Sequence, residues 1–404
     1  SAVAIIRDEE ILYAAQEERF SRIKNDDSFP ILALKAGLEF CNISIEDIEG
    51  IAFYDKPFLK FERIIENQLD SIPNSFSNFI KTTPAWINKK LFIERTIKKE
   101  LKKAGLKTKK KFNYFYPEHH LSHAASVFYT SPFKNATIIT IDGVGEYNTT
   151  VIFEGNEEII TKKEEINYPH SLGLLYSSFT YFLGFEVNKG EYKMMGLAPY
   201  GNLKDSETIT FIEKIKNHLI TLNEDASFTL NMDYFSFMKG KKMIDIAKWE
   251  KLLAIKKRGT ELTQSYANLA LAIQTVTEEI VTNIVLKGIK LTGSKNACFA
   301  GGIALNSVIN GKLAEHEMID SLFVFPAPGD AGGALGAALG AYYIGLGKKR
   351  KNYIPNLNNG LLGNSISPIE LEKIKTSHIG KIITIKEKCY NYSLKFILGL
   401  SDND

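Results

Sequence analysis

From Ala2 the chain reads AVAII, then polar RDEE, then ILYAA: an apolar run, a short polar turn and a second β-rich run. The order returns from Ala136 to Ile166, where ATIITI passes through DGVGEYN into TTVIFEG and EEIITKKEEI. Short apolar runs bounded by turn residues predict strands, and each region predicts the opening of an α/β unit with helical segments later. A duplicated unit places a cleft between two lobes, where the carboxyl ends of strands converge and ligands bind. Between them, AWINKKLFIERTIKKELKKAGLKTKKKF carries eleven basic residues with apolar residues at roughly helical spacing. That pattern predicts an amphipathic helix with a solvated basic face. TELTQSYANLALAIQTVTEEIVTNIVLKGIKLTG reads as helix, and the stretch from Asn296 to Gly347 is rich in glycine.

Composition narrows the class. At 404 residues and 44% hydrophobic, the chain can bury two or three domain-sized cores. A net charge of +3 implies no nucleic-acid partner. Arginine is scarce, yet two of the seven, Arg19 and Arg22, sit with Glu17, Glu18 and Lys24 in EERFSRIKND. Cys41, Cys298 and Cys389 are odd in number and far apart, which argues against a disulfide framework and suits a reducing compartment, with cytoplasm as the expected location. No uninterrupted apolar run of about 18 residues occurs, so the sequence signals neither a membrane span nor secretion. Ser1 leads straight into a strand-like run, which reads as a cut inside a folded unit.

Candidate chemistry starts at EHHLSHAAS, which holds three of the seven histidines. His119 and His123 are four apart, so on a helix started near Pro117 both imidazoles share one face, with His120 pointing elsewhere. Two histidines alone are as often plain helix residues as ligands. Asp142 directly follows a strand, with Gly143 and Gly145 letting the backbone bend around an anion. Asp330 follows the strand through Val324 and a Pro-Gly turn, and Gly332 and Gly333 then open a helix whose amides can face phosphate or a metal-bound ligand. Each aspartate alone is an ordinary cap or turn residue. Two histidines and two aspartates together give an N₂O₂ set suited to iron, zinc or manganese. In CFAGGIALNSVINGKL, Gly301 and Gly302 leave room for adenine or ribose, with Asn306 and Asn310 on one helical face; tight strand-to-helix packing is the alternative. NKGEYKMMGLAPYG reads as a loop lining the site, with Lys193 able to meet phosphate or carbonyl, although exposed loop lysines are common.

EERFSRIKND, EHHLSHAASVFYTSPF, IDGVGEY, YPHSLGLLYSSFTYFLGF, KGEYKMMGLAPYG, GGIALN and PAPGDAGGALGAAL occur in this order and closely resemble the O-carbamoyltransferase family of antibiotic and nodulation-factor biosynthesis. The resemblance extends to about Gly347. It implies an α/β fold of the duplicated actin-like, sugar-kinase-like (ASKHA) kind, shared with the tRNA threonylcarbamoyl-transfer protein, with two lobes around a nucleotide cleft. Residues 1–130 would form the first lobe, 131–347 the second, and 348–404 a linker with the start of a truncated C-terminal domain. By resemblance His119, His123, Asp142 and Asp330 match the ligands of a metal, usually iron(II), beside carbamoyl-adenylate, and Lys24 would lie near its carbamoyl or phosphate group. The implied reaction moves the carbamoyl group, derived from carbamoyl phosphate and ATP, to a hydroxyl of a sugar or small-molecule acceptor. Lys193 and His120 join Lys24 as candidate catalytic groups, His120 as the acceptor's base.

Two features depart from the family pattern. Its opening strand, ending in an HDS-like turn, would precede Ser1, and its second, activating domain has an EFGPRALG-like motif that these residues lack. The expectation is a transfer half-reaction, with activation left to a separate domain or subunit or to a homo-oligomer, and with no nucleic-acid or membrane partner. Two alternatives are threonylcarbamoyl transfer to tRNA, against which the long KGEYKMMGLAPYG match counts, and a nucleotide-binding protein without turnover.

Overall fold

In a computed structural model, the first apolar-polar-apolar run forms an antiparallel hairpin of β1 (Ala2–Arg7) and β2 (Glu10–Gln16). The structure describes residues 1–70, 91–238, 242–351, 353 and 357–364; Cys389, most of the expected C-terminal element and the start of the basic stretch lie outside the described residues. Ser1–Leu362 constitute one unit by their contacts. Ile5 and Tyr13 of the hairpin pack on Leu38 of α1 (Ile31–Phe40). The approach is close because Gly37 has no side chain: a Cβ there would lie 2.7 Å from the Tyr13 ring. β3 (Gly50–Ala52), α2 (Pro57–Asp70), α3 (Ile93–Lys103) and β4 (Asn113–Phe115) follow, with β3 and β4 parallel. α3 is the expected amphipathic helix. Its Ile97 and Leu101 are buried with Ile45 and Phe112, while Lys98, Lys99, Lys102 and Lys103 face out.

α4 (His119–Phe128) leads into the antiparallel strands β5 (Asn135–Ile141), β6 (Asn148–Asn156) and β7 (Ile159–Asn167). After them come α5 (Leu172–Phe182), α6 (Glu191–Leu197), the hairpin of β8 (Ile220–Leu222) and β9 (Phe228–Leu230), and α7 (Gln264–Thr292). β10 (Asn296–Ala300), α8 (Ser307–Ala314), β11 (Ser321–Val324) and α9 (Asp330–Gly340) complete the site-forming part. The main sheet has the order β11-β10-β5-β6-β7, with β10 parallel to both β5 and β11. The whole is a mixed α/β fold.

Period-two alternation sends successive residues of β5 and β10 to opposite faces, and both faces are covered, so both strands are buried along almost their whole length. Ile139, Ile152 and Phe299 face a core with α5 and α7, while Ile138, Val151, Phe153 and Cys298 face a second core with α4 and α9. β7, at the edge, instead carries Lys162, Lys163, Glu164 and Glu165, which discourage further pairing. α7 has 29 residues and is apolar enough to cross a membrane by length and composition, but 67% of its most apolar window is buried in the protein. Ile273, Val276, Ile280 and Ile284 recur at helical spacing inside the first core.

Two expectations change. The boundary at residue 130 would leave α4 with the first lobe, yet α4 packs against β5, β10 and α9 in a core of the main sheet. The cause is a small-residue surface: Ala124, Ala125 and Ser126 admit the glycine face of α9. NKGEYKMMGLAPYG is helical over Glu191–Leu197 rather than a loop. Met194 is fully buried, and the Glu191 carboxylate accepts from the amides of Asn188 (2.8 Å) and Gly190 (3.2 Å) at the helix start. Burial and capping outweigh the glycines.

Candidate metal centre

Glu146, in the β5–β6 connection, sets the start of α4. Its carboxylate accepts from the His119 amide (3.1 Å) and the Lys56 amide (2.7 Å), placing negative charge at the helix N-terminus. Four residues on, the helix stacks His123 beside His119, and both are buried. Their Nε2 atoms lie 3.1 Å apart. Asp142 Oδ2 is 2.9 Å from His119 Nε2 and 3.0 Å from His123 Nε2. Asp330 Oδ1 lies 3.5 and 3.6 Å from the same nitrogens. One donor atom from each of the four residues thus falls within 4.8 Å of the others.

Glycines aim the two aspartates. Asp142 Oδ1 accepts from the amides of Gly143 (2.7 Å) and Gly302 (3.2 Å), which turns Oδ2 toward the histidines. A Cβ on Gly302 would sit 2.7 Å from Oδ1. Gly301, at φ +92, brings the end of β10 against the Ile141 backbone, where no L side chain fits. Asp330 opens α9, and α9 reaches α4 because Gly336 lies flush on Ser122 O. Gly332 and Gly333 instead lie against Ala327 O and the Tyr54 ring, and Gly145 lies under His119 and His120. These three, with Gly301, contact protein where an anion or flat ligand was expected.

Charge in the cluster favours a cation. Burial disfavours protonation of His119, but hydrogen bonds to Asp142 and Asp55 outweigh it and raise its pKa to about 10. His123 also moves up against burial, through Asp142 and Asp330. Asp142 is held well below the usual carboxylate range despite burial, by hydrogen bonds to both histidines. The carboxylates draw positive charge onto the imidazoles, and a divalent ion would supply that charge directly. Donors sharing an ion through ~2.1 Å bonds stand roughly 3.0–3.4 Å apart, close to the separations here. The residues present fit a transition-metal ion.

The cluster borders a cavity of 2740 Å³ lined by Asp142, Gly143, Gly302, Asn306, Asp330 and Lys24, among others. Lys24 is exposed and stands 4.8 Å from the centre of the Tyr192 ring; beside it Asn25 Nδ2 donates to Asn188 O (3.1 Å). Lys193 is exposed, 5.9 Å from the same ring, and is not among the lining residues. His120 faces away. Its Nδ1 pairs with Thr140 Oγ1 (2.8 Å) and Nε2 with Asn148 O (2.9 Å), and burial, then the neighbouring histidines, push its pKa down to about 3. It offers no free nitrogen to an acceptor in the cavity, which corrects its expected use as a base. Asn306 is committed too: Oδ1 caps α8 at Ile309 N–H (3.2 Å), and Nδ2 donates to Gln274 Oε1 (2.9 Å).

Asp55 and Glu146 escaped the sequence reading. Asp55 Oδ1 lies 2.9 Å from His119 Nδ1, and its Oδ2 accepts from Lys60 Nζ at 2.6 Å. It follows the apolar run IAFY much as Asp142 follows TIITI, and that strand-end position was the available signal.

The family model described as carbamoyltransferase N-terminus matches residues 1–339. An uncharacterized protein of Synechocystis sp. is 41% identical over 92% of this chain and 60% of its own length. Nodulation protein NolNO of Sinorhizobium fredii is 29% identical over 84% of this chain and 45% of its own. The chain thus spans about half the length of these relatives. Among solved structures, HypF of T. kodakarensis matches at 15% identity and a TM-score of 0.34, over 69% of this chain and 45% of that one.

Proposed function

The chain belongs to the carbamoyltransferase N-terminus family, and on that premise we propose that it performs the transfer step of an O-carbamoylation. The donor is carbamoyl-adenylate and the acceptor a hydroxyl of a sugar or other small molecule. The acceptor oxygen bonds to the carbamoyl carbon, the bond from that carbon to the phosphate oxygen breaks, and AMP departs while the hydroxyl proton passes to the departing phosphate or to solvent. The observation that carries this reading is the His119, His123, Asp142 and Asp330 cluster on the wall of a cavity large enough for a nucleotide. Iron(II), or another transition ion taking two imidazoles and two carboxylates, supplies Lewis acidity toward the carbamoyl carbonyl when bound. The chain's own groups hold that ion and receive the donor. The first turns of α5 and α9 open on the cavity at Gly173 and Ala331 and can offer amides to phosphate. Lys24, at the rim, can neutralise donor charge.

The proposal includes the actin-like, two-lobed ASKHA arrangement. Its support is a repeated order of strand types: antiparallel β1–β2 then parallel β3–β4, and antiparallel β5–β7 then parallel β10 and β11. Among the described residues β1 and β3 each pair on one side, and both border the cavity.

Mass spectrometry of hydroxyl-acceptor pools tests the transfer. With metal-loaded chain, carbamoyl-adenylate should yield carbamoylated product, whereas carbamoyl phosphate plus ATP should not. Product from the second pair would refute the division between activation and transfer; product from neither would remove the transfer role. Elemental analysis should find about one transition-metal ion per chain, lost in His123→Ala and Asp330→Ala.

A further inference from the structure

We infer that Asp55 is a positioning residue for the metal centre, fixing which nitrogen His119 presents and thereby setting the affinity of the site; the inference rests on the metal reading above. A carboxylate only accepts, so Asp55 Oδ1, 2.9 Å from His119 Nδ1, holds the proton on that nitrogen. In the neutral ring Nε2 then keeps its lone pair, and Nε2 is the atom that faces Asp142 and His123. The carboxylate itself cannot swing. Its second oxygen accepts from Lys60 Nζ at 2.6 Å, and the Asp55 side chain is 7% exposed. The Tyr54 ring, 5.5 Å from the imidazole centre, packs beside the pair.

His123 provides the internal contrast. Its Nδ1 is buried and has no hydrogen-bond partner, so on the side away from the cluster packing alone holds that ring. The two imidazoles are therefore unequal at Nδ1: a carboxylate holds that nitrogen of His119, and nothing holds that of His123. Partners of this kind typically change metal affinity about 10–100-fold. Lys60 acts one step further out, by keeping Asp55 charged and in place.

The test is cobalt(II) binding to the apo-chain, followed by competition with a chromophoric chelator and by the visible ligand-field bands. Asp55→Asn keeps the shape but loses the charge, and it should weaken cobalt binding about 10–100-fold while shifting those bands. Asp55→Ala should lose at least as much, Asp55→Glu should regain part, and Lys60→Met should show a smaller loss. Apo unfolding midpoints are measured alongside; Asp55→Asn should lower the midpoint, because it removes the charged partner of buried His119 and of Lys60. Parental affinity and spectrum in Asp55→Asn would overturn the inference while leaving the metal centre intact. So would losses that merely track the apo midpoint across the four variants. A parent chain that binds no cobalt would sink the metal reading and this inference together.

Discussion

Gly336→Ala probes how Asp330 reaches the histidines. The new Cβ would fall inside contact distance of Ser122 O and stand 3.0 Å from Ser126 Cβ. Backbone on one side and a packed side chain on the other leave it nowhere to go, so α9 must retreat from α4 by about an ångström. Overpacking of this kind costs about 1–3 kcal/mol. In a unit the size of Ser1–Leu362, an unfolding entropy of ~2.1 cal/mol/K per residue sums to about 0.8 kcal/mol/K, and the melting midpoint should drop by about 1–4 °C. Asp330 opens the same helix and is the one residue of α9 in the candidate metal cluster, so under the metal reading the displacement should also weaken metal binding, by about tenfold or more. Gly311→Ala is the control: it lies inside α8, its Cβ would meet nothing within 4 Å, and it should stabilise by about 0.5–1 kcal/mol. Calorimetric melting of the apo-chain and chelator competition read the two effects separately. If Gly336→Ala melts and binds metal like the parent, the contact between α4 and α9 does not locate Asp330.

Other outcomes can be read from single side chains. His120 has a folded pKa of about 3 against an ordinary 6.5, so below pH 6.5 the unfolded chain takes up a proton that the folded chain refuses. Stability from this group is present above 6.5 and falls by about 1.4 kcal/mol per unit as pH drops toward 3. Denaturant melts of His120→Asn should show a correspondingly shallower acid slope, and equal slopes would contradict the burial argument. Lys24→Ala should raise the apparent dissociation constant for carbamoyl-adenylate about tenfold without changing metal affinity. Lys193→Ala, outside the cavity lining, should change neither, as titration calorimetry can show.

Local pattern was enough for the elements that depend on neighbours in the chain. The hairpin of β1 and β2, the β5–β7 strands and the strand-glycine-helix segments at β10 and β11 follow from period-two runs and turn residues. α4 and α6 show where that stops. Nothing within HAASVF says that its small residues meet Gly336 rather than the first lobe, because the partner lies some two hundred positions away. In EYKMMGL the burial of Met194 decides for helix, and burial is a property of the assembled core.

The site divides along the same line, with a further lesson in the glycines. His119 and His123 are legible because four residues on a helix is a local distance, and Asp142 and Asp330 because each ends a strand. Asp55 also ends an apolar run, but its contact with His119 spans 64 positions, and no local pattern says which side chain it meets. The glycines were visible but ambiguous, since a missing Cβ looks the same in sequence whatever fills its space. At Gly145, Gly301, Gly332 and Gly333 protein fills it, and at Gly302 the Asp142 carboxylate does. Gly143 differs: a Cβ there would meet nothing within 4 Å, and the residue lines the cavity. Of the glycines expected to meet a ligand, it alone has room facing the cavity for a donor phosphate, even while its amide holds Asp142. Under the proposed function, room for an anion narrows from the whole set to this turn, while Gly301 and Gly302 bear on the site through how they hold Asp142 at the end of its strand.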